Sequence, residues 1–346
     1  MARACWLALF FVQCACAQPA PDQLMDAPVL REASDYQFST LELDSADGAR
    51  HYRVWLGRPL KVSAASPVAY LLDGNAAMAA LDTELLNHLS HRPAPPVLVA
   101  VGYATPLRIE RNARTFDYTP RVGEGAQRDP LTDVPSGGAD QFLDLLTEQI
   151  RPLVNQRLEI QPRQQLLWGH SYGGLLVLHA LTTRPQAFDD YAAASPSLWW
   201  NNGVIQTDGL AQRLHAKRPT LLLMRGDAEP ASPTRAAKPQ DDGAVKRLLA
   251  SLQSVEGLTV RYQAFPGLGH GPMLPASLRY TLEQMSQYLQ LPNLICVHPG
   301  SQAPPQSPVG AGLLAKAACQ LMYLVADPPP SQASQLPHLI SICPST

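Results

Sequence analysis

A serine flanked by glycines, in the segment Gly169–Gly173 (Gly-His-Ser-Tyr-Gly), stands where an apolar run gives way to a helical pattern. The run Leu166–Trp168 predicts a buried strand, and the apolar residues after Gly173 predict a helix. On a sharp strand-to-helix turn a serine hydroxyl is lifted above the sheet edge, and glycines are needed there because Cβ atoms would clash. The pattern therefore predicts that Ser171 is the nucleophile of an acyl-transfer site.

The base that activates this serine is expected further along the chain. A serine alcohol is a weak nucleophile until a base takes its proton, and in this arrangement the base follows the serine in sequence. His270 lies in a glycine-flanked loop just after the predicted strand Thr259–Phe265. At that strand end it can reach Ser171, so His270 is the predicted general base. His170 is expected to point away from the substrate and to act as a structural hydrogen-bonding residue.

The carboxylate that orients the base is expected after the predicted strand Leu221–Met224, which ends in Arg-Gly-Asp-Ala-Glu. Such a carboxylate holds the imidazole in the productive tautomer. Asp227 and Glu229 both qualify, and Glu229 is preferred because it lies further into the loop. A third alternative is that neither carboxylate reaches His270 and that a backbone carbonyl or a water fixes the tautomer.

An acyl-transfer site also needs hydrogen-bond donors for the oxyanion that forms on the substrate carbonyl. One donor is the backbone N–H of Tyr172, the residue after the nucleophile. The other is expected in the loop after an earlier strand, where Asp-Gly-Asn follows the apolar run Val68–Leu72. Because Gly74 permits close backbone approach, we place the second donor at Gly74 or Asn75.

Short apolar runs alternate with helical patterns along most of the chain, which indicates a mostly parallel sheet covered by helices on both faces. The predicted strands are Val68–Leu72, Val97–Val101, Leu166–Trp168, Tyr191–Ala194, Leu221–Met224 and Thr259–Phe265. The predicted helices are Ala76–Leu89, Gln141–Leu158, Gly174–Leu181, Ala244–Val255 and Ser277–Leu289. Before them, Tyr36–Leu43 and His51–Leu56 alternate apolar and polar residues around a glycine turn and predict a hairpin. The predicted fold class is therefore α/β, a doubly wound α/β-hydrolase sheet with an antiparallel N-terminal hairpin.

Composition and charge exclude several classes of function. Lys+Arg 27 against Asp+Glu 29 leaves a formal net charge of −2, so the basic surplus of a nucleic-acid-binding protein is missing. The six cysteines all lie in the first 16 or the last 51 residues. The long stretch between them has no thiol nucleophile and no cysteine-based zinc site. We expect no cofactor and no resident metal.

The two ends of the chain differ from its body. Residues 1–17 hold one arginine and an uncharged apolar run that ends in Ala-Cys-Ala, which predicts a signal peptide and a mature protein in a bacterial periplasm. Residues 18–35 are expected to be a loose lead-in, and residues 36–291 the catalytic domain. Residues 292–346 are proline-rich with few charges, and they are expected to be a poorly ordered appendage without a membrane span.

Five sequence blocks occur in an order that resembles a known family. They are Tyr70–Asn75 (YLLDGN), Asp117–Pro120 (DYTP), Trp168–Gly174 (WGHSYGG), Ala194–Leu198 (ASPSL) and Leu268–Met273 (LGHGPM). The chain resembles the periplasmic enterobactin and salmochelin esterases, members of the esterase-D-like α/β-hydrolases, from about Tyr36 to Leu289. The resemblance implies hydrolysis of the serine trilactone of a catecholate siderophore. It also implies that Ser171 and His270 are the working residues and that iron is present only as part of the substrate.

Several side chains suit a substrate of that class. A ferric tricatecholate is a bulky anion with flat aromatic faces, and guanidinium groups both neutralise charge and stack on aromatic rings. The long segment Gly102–Ala139 carries the arginines that are expected to contact it: Arg114 first, then Arg111 and Arg108. Trp199 and Trp200, just beyond the predicted strand Tyr191–Ala194, are expected to pack against catechol rings.

Two alternative functions stay open at this point, as do the iron loading of the siderophore and the oligomeric state. A general carboxylesterase or acyltransferase would use the same catalytic residues on unrelated acyl groups. A non-cleaving protein of this fold would bind the siderophore without hydrolysis. Turnover of a cyclic catechol-serine trilactone, compared with that of a simple acetyl ester, distinguishes these alternatives.

Overall fold

The computed structural model describes residues 22–214, 218–230 and 243–285. The predicted signal peptide of residues 1–17 and the predicted appendage of residues 292–346 lie outside these ranges. Within them, no helix is both long enough and apolar enough to cross a membrane.

One eight-stranded sheet runs through the described residues in the order β1-β2-β4-β3-β5-β6-β7-β8. The strands are β1 (Tyr36–Asp44), β2 (His51–Pro59), β3 (Val68–Leu71), β4 (Val97–Tyr103), β5 (Gln165–His170), β6 (Asp190–Ala194), β7 (Thr220–Gly226) and β8 (Thr259–Phe265). The pairs β1–β2 and β2–β4 are antiparallel, and all other neighbours are parallel. The predicted fold class, a mostly parallel α/β-hydrolase sheet with an antiparallel N-terminal hairpin, is confirmed.

The helices cover both faces of this sheet. They are α1 (Gly74–Ala80), α2 (Thr83–Ser90), α3 (Arg111–Tyr118), α4 (Ala139–Asp144), α5 (Arg151–Leu158), α6 (Tyr172–Thr183), α7 (Leu210–Arg213), α8 (Gly243–Gln253) and α9 (His270–Met285). A π-helical turn, Leu145–Ile150, joins α4 to α5. The single helix predicted over Ala76–Leu89 is two helices, because Asp82 caps a new start by accepting a hydrogen bond from the Leu85 N–H at 2.8 Å.

The segment predicted as a long connection, Gly102–Ala139, contains the short helix α3. Glu110 caps this helix by accepting a hydrogen bond from the Ala113 N–H. A carboxylate at this position satisfies one of the free N–H groups of the first turn. The helix places Arg114 on the side of the segment that faces β3.

The strand residues divide between two apolar clusters, one on each face of the sheet. On β3, Tyr70 belongs to one cluster, and Ala69 and Leu71 belong to the other. On β5, Leu167 and Trp168 divide in the same way. Because successive strand residues point to opposite faces, continuous apolar runs of this kind form only where both faces are covered.

The segment before β1 is not loose where the structure describes it. The Met25 N–H donates to Pro106 O at 2.8 Å, and the Arg108 N–H donates to Gln23 O at 2.8 Å. Val29 is buried in one of the two apolar clusters. The expectation of a loose lead-in is therefore wrong from residue 22 onward, because these backbone bonds join it to the segment after β4.

The carboxyl ends of the parallel strands β3, β5, β6, β7 and β8 meet at one edge of the sheet. In open sheets of this type, binding and catalytic residues gather at that edge. The loops that leave it here carry Asp73, Ser171, Ser195, Glu229 and His270.

Candidate active site

Ser171 lies between β5 and α6 with φ 61° and ψ −116°, a backbone conformation that L-residues rarely adopt. A side chain at Gly169 would come within 2.4 Å of the Gly173 carbonyl oxygen, and one at Gly174 within 2.8 Å of the Ala194 oxygen. The glycines are therefore required by close backbone contacts. The strained turn presents the serine hydroxyl at the sheet edge.

His270, the first residue of α9, faces this hydroxyl. Its Nε2 is 3.1 Å from Ser171 Oγ, and its Nδ1 is 2.8 Å from Glu229 Oε2. An ionised carboxylate only accepts hydrogen bonds, so Nδ1 carries the hydrogen and Nε2 is free to accept from the serine. This chain of contacts lets His270 take the Ser171 proton while Glu229 holds the tautomer.

Glu229, rather than Asp227, contacts the imidazole. Burial of Glu229, which is 4% exposed, raises the pKa of its carboxyl. Hydrogen bonds from His270, Ser195 and the Gly226 N–H outweigh burial, and they hold that pKa below its ordinary value. Glu229 is therefore a carboxylate at neutral pH.

Asp227 holds the loop instead of the imidazole ring. Its Oδ1 accepts a hydrogen bond from the Gly267 N–H at 2.6 Å. Asp227 is thus a support for the main chain of the base-bearing loop, three residues before His270. Of the alternatives that the sequence left open, the geometry favours Glu229 as the carboxylate that orients the base.

We expect Glu229→Gln to lower kcat by about 10²- to 10⁴-fold, because an amide nitrogen facing Nδ1 stabilises the wrong imidazole tautomer. Asp227→Asn is the matched control, since the asparagine oxygen still accepts from the Gly267 N–H. Its kcat should stay within about threefold of wild type, as for a retained hydrogen bond. Initial rates on one ester measure both variants. A larger loss in Asp227→Asn than in Glu229→Gln would show that the wrong carboxylate has been assigned.

The predicted oxyanion donors lie in two neighbouring turns. Tyr172 begins α6 and Gly74 begins α1, and the first N–H groups of a helix have no partner within it. A side chain at Gly173 would lie 3.5 Å from Leu72 Cβ, so the two turns pack against each other. The Asp73 N–H donates to the Tyr118 hydroxyl at 2.9 Å, which holds the turn before α1.

Asn75 keeps only its backbone N–H for that role. Its side-chain Nδ2 donates to Tyr103 O at 3.2 Å and to Thr105 O at 3.1 Å, and its Oδ1 accepts from the Tyr103 N–H at 2.9 Å. These bonds fasten α1 to the end of β4. Gly74 packs directly against the backbone of β4, because a Cβ at this position would lie 2.6 Å from Gly102 N.

Arg114 forms an ion pair with Asp73. Its guanidinium makes two hydrogen bonds of 2.7 Å to the two carboxylate oxygens of Asp73. Because both side chains are largely buried, losing either one would leave the other charge without compensation. The guanidinium also lies over the rings of Tyr118 and Tyr172, at 5.5 and 5.4 Å. That Arg114 contacts the substrate first stays a prediction. Its charge fixes the turn that carries Gly74.

The environments of Arg108 and Arg111 differ from that of Arg114. Arg108 is half-buried, and it makes no direct ion pair with any residue that the structure describes. Burial lowers the pKa of Arg108, the charge of Asp73 opposes that shift, and Arg108 in turn helps to lower the pKa of His170. Arg108 is thus a half-buried cation whose charge acts on His170, the residue before Ser171. Arg111 begins α3 and is half-buried.

The two predicted tryptophans have different environments. Trp200 is 1% exposed, and its Nε1–H donates to Asp129 Oδ2 at 2.8 Å, so the expectation that it packs on the substrate is wrong. Trp199 is only partly buried, and its ring centroid lies 6.0 Å from that of Tyr172. Trp199 therefore remains a candidate to contact an aromatic ligand.

Asp129 is a residue that sequence reasoning missed. The same Oδ2 accepts from the Tyr172 hydroxyl at 2.9 Å, while Oδ1 accepts from the N–H groups of Leu131 and Thr132. One carboxylate thus ties the segment between α3 and α4 to the first residue of α6. Its only sequence signal is a turn-forming Asp-Pro pair, which does not specify a partner.

The Ser-Pro-Ser segment after β6 also supports the site. Ser195, with φ 43°, donates its hydroxyl to Glu229 Oε1 at 2.6 Å, while Ser197 Oγ lies 3.4 Å from Ser171 Oγ. The Ser197 N–H donates to Ser171 O at 3.2 Å. The segment therefore contacts both the nucleophile and the acid. Its place at a strand end was the available signal.

The part of the chain described by the structure holds no group of three His, Cys, Asp or Glu side chains arranged to bind a metal ion. The contacts among Ser171, His270 and Glu229 join side chains of the protein. They provide a nucleophile, a base and an orienting carboxylate.

The chain order Ser171, Glu229, His270 along this edge is the order found in α/β-hydrolases. Fold and contacts together define the class of protein, a serine hydrolase. Residues 45–271 match the sequence profile of the esterase family, and the chain belongs to that family. It is an enzyme that hydrolyses carboxylic esters.

Three comparisons with known proteins agree. The chain is 40% identical over 270 residues to the apo-salmochelin esterase of Escherichia coli O6:H1 (strain CFT073), which covers 72% of this chain and 80% of the relative. It is 29% identical over 267 residues to the ferri-bacillibactin esterase BesA of Bacillus subtilis (strain 168), with 72% and 91% covered. The solved complex of the enterobactin hydrolase IroE with DFP matches with a TM-score of 0.60 at 38% identity, over 75% of this chain and 98% of that one. These matches confirm the resemblance seen in the sequence blocks.

Proposed function

We propose that this esterase hydrolyses the serine-trilactone ester bonds of a catecholate siderophore of the enterobactin or salmochelin type. The observation that carries the proposal is the hydrogen-bonded chain from Ser171 through His270 to Glu229. The names of the relatives support the substrate class, since the chain is 40% identical to an apo-salmochelin esterase and 38% identical to the structurally similar enterobactin hydrolase IroE. Iron enters only as part of the substrate.

The residues give a two-step acyl transfer. Ser171 Oγ attacks a lactone carbonyl while His270 Nε2 takes its proton, and the new oxyanion faces the N–H groups of Tyr172 and of Gly74 or Asn75. When the ester bond breaks, His270 returns the proton to the departing serine hydroxyl of the substrate. A water then attacks the acyl-enzyme with His270 as base again, which releases a carboxylate and restores Ser171.

Glu229 stays ionised through both steps. Its negative charge favours the imidazolium that forms on His270 in each transition state. The hydrogen bond from Ser195, at 2.6 Å, occupies the oxygen that does not face the imidazole, so the carboxylate cannot rotate freely.

Arg108 is the loop arginine whose charge is best placed for an anionic substrate. We expect Arg108→Gln to raise KM for the catecholate trilactone about tenfold, the size of one lost charge-assisted contact, and to leave KM for a neutral acetyl ester unchanged. Arg121→Gln is the control, because Arg121 is an exposed arginine of the same segment that donates to Gly125 O. Equal KM changes on the anionic and the neutral ester would contradict a role in substrate charge.

One comparison tests the proposed substrate against the two alternatives. The purified enzyme is given the cyclic catechol-serine trilactone, iron-free and ferric, and separately 4-nitrophenyl acetate. We expect a far higher kcat/KM on a trilactone, and chromatography should show the linear product. Similar kcat/KM on both esters would indicate a general carboxylesterase, and binding without any product would indicate a siderophore-binding protein.

We also propose that the protein acts in a bacterial periplasm without a cofactor. The support is the signal-peptide pattern of residues 1–17, with a mature chain from about Gln18. Sequencing the N-terminus of protein recovered from the periplasm tests the cleavage. Unchanged turnover of the iron-free trilactone after treatment with EDTA tests the second part.

A further inference from the structure

The loop that carries the base, residues 266–269, is not fixed by packing at its glycines. A side chain at Gly267 or Gly269 would meet no atom within 4 Å. The loop is held by hydrogen bonds, from the Gly267 N–H to Asp227 Oδ1 and from the Ala228 N–H to Leu268 O. Neither of these bonds reaches His270, whose main chain begins α9 at the end of this loop.

His170 connects this first residue of α9 to the sheet. Its Nε2 lies 3.0 Å from the carbonyl oxygen of His270. A carbonyl oxygen only accepts hydrogen bonds, so Nε2 of His170 carries the hydrogen and donates it. His170 is buried, and it is the last residue of β5, directly before Ser171. One hydrogen bond therefore joins the main chain of the base to the strand that ends at the nucleophile.

We propose that His170 is the positioning residue of the general base, because its Nε2–H fixes the main chain of His270 within reach of Ser171. This inference rests on the serine-esterase activity proposed above. It is independent of Glu229, which contacts the His270 ring rather than its main chain.

The charge state of His170 suits this task. Burial, together with the charges of His270, Arg114 and Arg108, holds the pKa of His170 well below its ordinary value. The ring centroids of the two histidines are 4.6 Å apart. A neutral His170 does not repel the imidazolium that forms on His270 during the reaction.

A phenylalanine at position 170 keeps a ring in the buried space and removes the donor. We expect His170→Phe to lower kcat for 4-nitrophenyl acetate by about 10- to 100-fold, the cost of a base displaced by up to about 1 Å. KM should change by less than about twofold, because no substrate contact is lost. The rate at which a fluorophosphonate inactivates Ser171 should fall by the same factor as kcat.

His170→Gln is the rescue variant, because its amide nitrogen reaches close to the position of the histidine Nε2. We expect it to recover kcat to within about threefold of wild type, as a retained hydrogen bond predicts. His179→Phe is the matched control. His179 is a mostly buried histidine of α6, and its Nε2 contacts Asp140 Oδ1 at 2.9 Å rather than any atom of His270. It should lose thermal stability and keep wild-type kcat.

If His170→Phe does not fold, the comparison is made between His170→Asn and His170→Gln. The shorter asparagine cannot reach the His270 carbonyl, whereas the glutamine can. Wild-type kcat in His170→Phe or His170→Asn would overturn the proposal. So would a glutamine variant no more active than the phenylalanine or asparagine one, since only packing would then matter. Failure of the wild-type enzyme to react with the fluorophosphonate would overturn the esterase function itself, and the positioning role with it.

Discussion

Replacing Ser171 with alanine is expected to lower kcat by several orders of magnitude, on the order of 10⁴- to 10⁶-fold, as loss of a serine nucleophile does in related triads. The variant removes a single oxygen atom and keeps the backbone at φ 61°. Its melting temperature should therefore stay close to that of the wild type. Turnover of the trilactone, followed by chromatography, and thermal unfolding measure the two properties on one preparation.

Ser66→Ala is the matched control for this variant. Ser66 is fully buried, and it lies just before β3, at the opposite edge of the sheet from Ser171. Its hydroxyl oxygen accepts from the Ser63 N–H at 3.1 Å, so its loss should lower stability and leave kcat unchanged. A Ser171→Ala enzyme that keeps more than a tenth of wild-type kcat would remove Ser171 from the role of nucleophile.

Replacing His270 with alanine is expected to match the loss in Ser171→Ala, on the order of 10⁴- to 10⁶-fold in kcat, because without a base the serine hydroxyl stays protonated. The distance of 3.1 Å from Nε2 to Ser171 Oγ makes the two groups one catalytic unit. The double variant Ser171→Ala/His270→Ala should therefore be no slower than either single variant. Steady-state rates of all three enzymes on one ester measure this non-additivity.

Two outcomes would contradict this prediction. If the losses of the single variants multiply in the double variant, the two residues act independently and the assigned contact does not carry the proton. If His270→Ala keeps a substantial rate, another group acts as base. Comparison with His51→Ala, an exposed histidine of β2 that pairs with Asp44, shows the effect of losing a histidine away from the site.

The main catalytic residues and the sheet that holds them were predictable from the sequence. Few structures require several glycines around a serine at the end of an apolar run. The strained strand-to-helix turn at Ser171 is one that does. The apolar runs also determine the parallel strands, because their continuous burial is incompatible with a sheet exposed on one face. Once the strands are parallel, residues after them meet at one edge, which brings His270 towards Ser171.

The partner of each charged side chain was not predictable in the same way. Asp227 and Glu229 are two residues apart in one loop, and only the path of that loop decides which of them faces His270. Arg114 and Asp73 are separated by 41 positions, and no local pattern shows that their charges cancel. Pairings of this kind depend on distances set by the whole sheet.

The same reason explains the remaining differences between sequence and structure. Sequence position predicts that an aromatic residue or a histidine lies near the site. Whether its side chain is buried, and which group it hydrogen-bonds, depends on the packing of the folded molecule. Trp200 is turned inward by Asp129, which lies 71 positions away, and His170 contacts the carbonyl oxygen of a residue 100 positions away. The sequence by itself predicted Ser171 and His270, their order and the sheet edge where the structure places them together. Only the tertiary structure shows which carboxylate and which supporting side chains contact them, because those contacts join segments that are far apart in the chain.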